Sequence, residues 1–548
     1  MKARRKLRVA VLADSSLQPR WLVEAFATLA DCDFAEIVAF ALRGSAQPTS
    51  PWLCRLGGSL DSRLFKSTLR GDLSERMPIA AAAPGARLAT LAELRLLDLD
   101  VVFGLGNVAH LAPERLAKHG FWYYGFGDDR DPSEPAAGVR EVTDGAPVSR
   151  SALVARLPRD GGERIVYEST SRTFAFSAAR NRANLLRKTA QFPWRALRAL
   201  HRSGERWLAQ CPIASPTPQH SGTGPGLLDC LRGISSVGRR IARRGVERML
   251  YVDQWILAYR FGAGRLGRDE VQSFTRLVPP KDRFWADPFP FVHNQRYFIF
   301  FEDYVFSAGK GHIAVLEVAA DGTASEPMPV LQRDYHLSYP HLIEDEGTLF
   351  MVPESGANRT VELYRCVEFP HRWALEKILL RDARYLDATI HRAGEKWWMF
   401  VTVAVPGTDG YDELHLYHAD RLTGPWVAHE ANPVKSDVHG SRPAGRLYEQ
   451  GGALFRPAQI CAPLYGSGLS INRVLNLSPE NYAEHEEQLI APGVSDGALG
   501  LHTLNCAGDL TVIDLFIRRP RFWQRQAIAS VPVHPSPATS SVTRLADN

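Results

Sequence analysis

Long hydrophobic runs are missing from this chain: none reaches the roughly eighteen apolar residues that a membrane-spanning helix requires. The apolar run after the basic start, in MKARRKLRVAVLADSS, is cut off by Asp14. It is too brief for the core of a secretion signal and is expected to be a first buried strand. Cysteine is scarce and unpatterned. Cys32, Cys54, Cys211, Cys230, Cys366, Cys461 and Cys506 include no C-x-x-C pair. That argues against a structural zinc site and for reduced thiols in a cytoplasmic protein. A strong charge of one sign is also absent. A net charge of +5 over 548 residues gives no electrostatic case for nucleic acid. The first strand is not followed by a glycine fingerprint for dinucleotides, so no cofactor is implied, and no metal site is expected.

The length calls for two or more domains, and 45% apolar with 23% charged residues is ordinary for soluble globular proteins. The first part reads as strand, helix, strand. Leu7 to Ala13 is a buried strand, Pro19 to Leu29 has apolar residues at helical spacing, and Phe34 to Leu42 is the next strand. A helix around Thr90 to Leu97 feeds a strand from Asp100 to Leu105. A helix at Pro113 to Lys118, a strand at Phe121 to Tyr124, a helix near Ala137 to Asp144 and a strand from Ser149 to Leu157 follow. Short connections of this kind favour a parallel sheet. Two basic helical stretches come next, Ser177 to Ser203, interrupted near Pro193, and Gly233 to Met249. Between them the chain from Gln210 to Gly226 is rich in Pro, Ser, Thr and Gly and reads as a linker. The basic stretches offer peripheral contact with an anionic membrane surface as an alternative to plain solvated faces.

The remainder is organised by a repeated unit, an apolar strand, a turn and a second apolar strand ending in polar residues. Its copies are RFWADPFPFVHNQRYFIFFED, SYPHLIEDEGTLFMVPES, LDATIHRAGEKWWMFVTV, RPAGRLYEQGGALFRPAQI and LHTLNCAGDLTVIDLF. They recur at roughly fifty to sixty residues, the period of a four-stranded propeller blade. The expected fold is therefore multidomain, an α/β domain followed by an all-β five-bladed propeller. The expected boundaries are 1–205 for the α/β domain, 206–265 for a linker and basic helix, 266–530 for the propeller and 531–548 for a disordered tail.

The strand and helix order of the first part resembles the formyltransferase fold. Tyr123 and Gly125 stand where that family carries its Asn and His, so the domain is read as degenerate. The pattern FWADPF, with a second Asp at a later blade, resembles five-bladed glycoside hydrolases of the arabinanase, xylosidase and invertase type. That resemblance implies catalytic roles for Asp287 and Asp387. Arg442 stands where the family's acid is expected, leaving Glu354, in VPES, as the candidate acid; Glu449 reads as an exposed turn. The segments RFWADPF, HLSYPHLIEDEGTLFMVPES, LDATI, HGSRPAGRLYEQGGALFRPAQ and GLHTLN together resemble the N-terminal propeller of plant glucosamine inositolphosphorylceramide transferases. Bacterial proteins with this propeller behind a formyltransferase-like domain tend to belong with surface-polysaccharide biosynthesis.

Blade openings converge on one mouth of a propeller's channel, so Asp287, His341, Asp387, Arg442 and His502 can meet despite their sequence separation. Trp285 and Tyr339 supply rings for stacking on sugar faces, and Arg442, Arg456 and Gln459, with His439 on the HGSRPAG segment, supply contacts to an anionic or polar group. The expected partner is a glycan, sugar nucleotide or lipid-linked saccharide. The expected function is glycosyl transfer or hydrolysis in envelope polysaccharide or glycolipid assembly, the alternatives being a non-catalytic sugar-binding protein and acyl transfer to an amino sugar by the first domain.

Overall fold

Alternating apolar residues about short glycine-containing turns make the repeated segments fold back as antiparallel hairpins, and each hairpin recruits two further strands. The computed structural model describes residues 4–44, 61, 72–106, 108, 116–130, 137–158, 162–214, 227–262, 271–492 and 497–522. Four four-stranded sheets follow one another in the chain. Blade I runs from Arg283–His293 to Met328–Leu331, blade II from Ser338–Asp345 to Arg372–Arg381, blade III from Tyr385–Ala393 to Val427–Ala428, and blade IV from Tyr448–Gln450 to Tyr482–Ile490.

Blade V is assembled from both ends of this region. Strand Leu510–Pro520 pairs with Leu504–Ala507 and Ala498–Gly500 on one side and with Tyr251–Phe261 on the other, and Thr275–Leu277 lies beyond. The eleven-residue register from Tyr251↔Pro520 to Phe261↔Leu510 corrects the expected propeller start at residue 266. The segment YVDQWILAYRF, expected in the linker, is an integral strand whose Ile256, Leu257 and Ala258 are fully buried. Joining a strand from before blade I to the last blade closes the ring, so no blade needs an open edge toward a missing neighbour.

The inner strands of blades I, II and III carry the same irregularity. Register slips by one residue between Ala286 and Phe289, between Ser338 and His341, and between Leu386 and Thr389. In each bulge a non-glycine residue adopts positive φ: Asp287 at 53°, Tyr339 at 45° and Asp387 at 53°. Bulges of this kind re-aim a side chain, and strain at equivalent positions of three blades marks that end of the channel as the place to look for function.

The chain divides into two compact units. The second, Arg248–Val403, Leu414–Val434 and His439–Asn548, contains the propeller. The first, Met1–Glu247 with Ala404–Glu413 and Lys435–Val438, contains a seven-stranded sheet. Its order is Arg87–Ala89, Ala35–Leu42, Leu7–Ala13, Val101–Leu105, Phe121–Phe126, Val148–Arg156, Glu163–Arg172. The first five strands are parallel, as the short crossovers require, and the last two are antiparallel. Helices Arg20–Ala27, Ala178–Thr189 and Phe192–Ser203 bury Trp21, Phe26, Leu185, Leu186, Leu197 and Leu200 in one core on this sheet. Pro193 does not kink a single helix. It sits in the first turn of the second one, where its missing N–H costs nothing.

The charged side of these helices is not uniformly solvated. Lys188, 1% exposed, lies 2.8 Å from Asp412 and 3.5 Å from Glu413, and Arg195 lies 2.9 Å from Glu413. Two of the basic groups considered for anionic partners are thus neutralised within the unit. Most of the sequence-predicted linker and all of the tail from 531 fall outside the described residues.

Candidate functional site

Side chains from all five blades meet at the bulged end of the inner strands, and three of their positions follow from the pairing registers. The residue preceding each bulge faces a polar residue on the second strand: Ala286 faces Glu302, Ser338 faces Glu354 and Leu386 faces Thr402. In blade IV the equivalent place falls to Gln459, whose N–H donates to Arg442 O at 2.8 Å. In blade V it falls to Asp514, which accepts from His502 N at 2.9 Å. This second-strand ring of Glu302, Glu354, Thr402, Gln459 and Asp514 is buried throughout.

Asp387 is held by three hydrogen bonds. Arg442 Nε donates to its Oδ2 at 2.5 Å and Nη2 to its Oδ1 at 3.2 Å, a two-point clamp, while Gln459 Nε2 donates to Oδ2 at 2.8 Å. Arg442 Nη2 also reaches Glu354 Oε2 at 3.3 Å, so one guanidinium serves two carboxyl groups. Burial disfavours the charge on Arg442, but Asp387 and Glu354 outweigh that and hold it firmly protonated. Burial and the neighbouring Asp387 push the Glu354 carboxyl well above its ordinary range, against the pull of Arg442.

The other half centres on His502. Its Nε2 lies 3.1 Å from Asp287 Oδ1 and its Nδ1 2.8 Å from Asp514 Oδ2. Thr503 Oγ1 donates to Asp287 Oδ1 at 3.0 Å, and Asp287 N donates to Asp514 Oδ2 at 3.0 Å. Burial lowers the imidazole's affinity for a proton, yet Asp514 and Asp287 overcome it and push His502 up to about 10. The ring is therefore an imidazolium at neutral pH. Ligand atoms of Asp287, His502 and Asp514 lie within 4.8 Å of one another, close enough for a cation.

Glu302 escaped the sequence reading. Its Oε1 is buried without a hydrogen-bond partner, and His336 Nε2 stands 3.6 Å away. Burial, then Asp287 and Glu354, push its carboxyl well above the ordinary range. His336 accepts a hydrogen bond from Gly311 N through Nδ1, which leaves its Nε2 to carry the proton toward Glu302. Gly311 is required here, because a Cβ in its place would lie 2.6 Å from Glu302 Oε1. The signal was present in the repeat: FFED places Glu302 where VPES places Glu354. Glu302→Gln is expected to differ least from the unmodified protein in melting temperature near pH 4.5, the carboxyl's ordinary value, and to melt progressively higher than it at pH 6 and pH 8. A carboxyl with a raised folded-state pKa loses its contribution as pH rises, whereas the amide does not titrate.

The other expected site residues separate clearly. His439 is half-buried three residues before Arg442 on the same loop. Trp285 is not a stacking surface. It is buried against Phe301, with ring centroids 5.4 Å apart, in the core between blades I and V. Tyr339 is also enclosed: its hydroxyl pairs with Thr389 Oγ1 at 2.8 Å and accepts from Gly445 N at 2.6 Å. His341 points away from the carboxyl cluster, pairs with Ile390 O at 2.9 Å, and is pulled down to about 3 by burial and then by Arg446. It lines a separate cavity of about 360 Å³ with His391, Trp397 and Arg446. Arg456 does not extend the Arg442 contact. Its guanidinium is bound to Glu484 at 2.8 and 2.7 Å and to Gly440 O at 2.5 Å, fully buried inside blade IV. Residues two apart on a strand share a face, and Arg456 is three from Gln459. Trp398, adjacent to Trp397, is likewise core.

The ring beside the charged cluster is Tyr465. It is half-buried, with its centroid 4.9 Å from the Arg442 guanidinium carbon and 5.1 Å from the His502 ring. Near His336 the mouth also carries Tyr304, stacked on Phe284 at 4.7 Å, and the exposed Phe306.

Residues 274–498 match the family described as glucosamine inositolphosphorylceramide transferase 1, N-terminal. The protein of that name from Oryza sativa subsp. japonica is 32% identical over 226 residues, covering 40% of this chain and 30% of the relative. Its counterpart from Arabidopsis thaliana is 30% identical over 217 residues, covering 39% and 28%. The chain thus spans less than a third of the length of these curated relatives. Among solved structures, the family 117 glycoside hydrolase Zg3597 from Zobellia galactanivorans aligns over 48% of this chain and 90% of that one, at 12% identity and a TM-score of 0.32. The match to residues 274–498 takes in Asp287, Glu302, Glu354, Asp387, Arg442 and Gln459, but stops short of His502 and Asp514. This part of the propeller is similar in sequence to the N-terminal region of the plant transferases.

Proposed function

We propose that the propeller is a carbohydrate-active module that binds a glycan, sugar nucleotide or lipid-linked saccharide and makes or breaks a glycosidic bond by acid–base chemistry. The observation that carries this reading is the division of protons among the clustered carboxyl groups. Glu302 and Glu354 are held protonated by burial and like charge, while Asp287 and Asp387 sit in ion pairs with His502 and Arg442. Environments that push neighbouring acids apart supply a donor and an acceptor in one site, as glycosidic chemistry requires. Glu302 and Glu354 are the proton-donor candidates and Asp287 the base or nucleophile. Arg442 both orients Asp387 and faces the opening, where its side chain and that of Glu354 are each 9% exposed. The sugar's apolar face has Tyr465 and the Tyr304 and Phe306 rings to lie on. The sugar transfer named for the plant relatives supports the same class. A place in envelope polysaccharide or glycolipid assembly, on the cytoplasmic side, belongs to the same proposal.

The formyltransferase-like reading of the first unit is kept for the strand order alone. Tyr123 donates from its hydroxyl to Glu163 at 2.8 Å beside Arg156, and a Cβ at Gly125 would lie 2.7 Å from Arg130 Cβ. No imidazole stands at either place to take an amine proton, so nothing favours acyl transfer there.

Calorimetric titration of the unmodified protein and Asp287→Asn with a panel of sugar nucleotides and anionic oligosaccharides, followed for turnover, tests the proposal. Binding with turnover that falls about 10²–10⁴-fold in Asp287→Asn is expected. Binding without turnover in either protein would make the propeller a sugar-recognition module instead.

A further inference from the structure

The two basic helical stretches look alike in sequence and differ in what they bury. In Ala178–Thr189 and Phe192–Ser203 the apolar side chains are sunk into the first unit's core. In Leu227–Leu250 they are not: Leu231, Ile234, Ile241, Val246 and Met249 are between 44% and 63% exposed. At 3.6 residues per turn these five side chains fall within an arc of about 140°. The six arginines of the same helix, Arg232, Arg239, Arg240, Arg243, Arg244 and Arg248, occupy the rest of its circumference, against one Asp and one Glu. The helix is fastened on its polar side, where Arg240 donates to Val142 O and Gly233 packs against Thr143. That anchoring leaves the apolar stripe facing outward.

We propose that Leu227–Leu250 lies in the interface of an anionic lipid surface, its apolar stripe among the acyl chains and its arginines among the headgroups. Charge complementarity selects this occupant. An apolar face meant for a protein core need not be flanked by arginine on both sides, whereas a stripe flanked by the five arginines other than Arg240 has the composition of an interfacial helix. The length of about 36 Å is too charged to span a bilayer, and among the described residues no helix is long and apolar enough to do so. This inference stands apart from the proposed chemistry of the propeller and does not depend on it.

The test is flotation of the full chain with vesicles of phosphatidylcholine alone and of phosphatidylcholine with about one third phosphatidylglycerol. It is run at two salt concentrations and repeated with Leu231→Ser/Ile234→Ser/Ile241→Ser. These exposed positions are none of the residues assigned to the site, and thermal unfolding checks that the variant stays folded. Binding to the anionic vesicles only, reduced roughly tenfold or more by the triple substitution, is the expected result. Absence of binding by the unmodified chain overturns the proposal. So does binding that high salt abolishes but the triple substitution leaves unchanged, since that is adsorption by net charge. A change of oligomeric state in the variant with unchanged lipid binding also overturns it, because the stripe then belongs to a second copy of the chain.

Discussion

Arg442→Met is expected to lower the unfolding free energy by about 3–5 kcal/mol at neutral pH, the usual consequence of leaving a buried carboxylate, here that of Asp387, without its counter-charge. The guanidinium is the group that donates to both Asp387 and Glu354, and Asp387 is 1% exposed, so water cannot replace it. Arg442→Lys should recover only part of the loss, since an ammonium cannot make the two-point contact. Much of the loss should return in Arg442→Met/Asp387→Asn/Glu354→Gln, where the ion pair is removed as a whole and a neutral amide replaces the Glu354 carboxyl. Urea denaturation of the four proteins measures each step. A single-variant loss under about 1 kcal/mol would show that the cluster is not closed in the way described.

His502→Asn is expected to cost a similar amount at pH 7, with a pH dependence that identifies the cause. The folded-state pKa of His502 is raised to about 10 from 6.5. Its stabilising contribution is therefore complete below pH 6.5 and lost as pH rises toward 10. A shift of that size corresponds to about 5 kcal/mol as an order of magnitude. Denaturation at pH 6, 8 and 10 should find the difference between the unmodified protein and His502→Asn narrowing across the series. At pH 10 the imidazole of the unmodified protein is about half neutral, so most of its advantage over the asparagine is gone. A difference that stays constant from pH 6 to 10 would mean that the imidazole is neutral throughout, and Asp287 would lose the ion pair on which its assignment rests.

The two clusters also explain why the propeller's site was only partly legible. Repetition exposed it: an Asp at the opening of blades I and III, an Arg at blade IV and a His at blade V recur at one place in a repeated unit, and one place in a repeat is one ring in space. By the same logic Glu302 should have been read with Glu354, since both sit opposite the residue before a bulge. The bulges themselves are what linear alternation cannot show. A one-residue slip turns Asp287 and Asp387 into the channel, while Trp285, which looks equally available in the string, lies in the core.

The amino-acid order by itself determined the two-part architecture, the number of blades and the parallel start of the first sheet. These are local: hydrophobic period, turn residues and repeat length are written in consecutive residues. Tertiary structure alone decided that Tyr251–Phe261 closes the ring, that Asp514 and Glu302 complete the site, that Tyr339 is locked inside while Tyr465 faces the cluster, and that one basic helix is buried while the other is bare. Each of those depends on which distant segment fills the space beside a residue. Burial and charge pairing across hundreds of residues are properties of that packing and leave no mark on the local sequence.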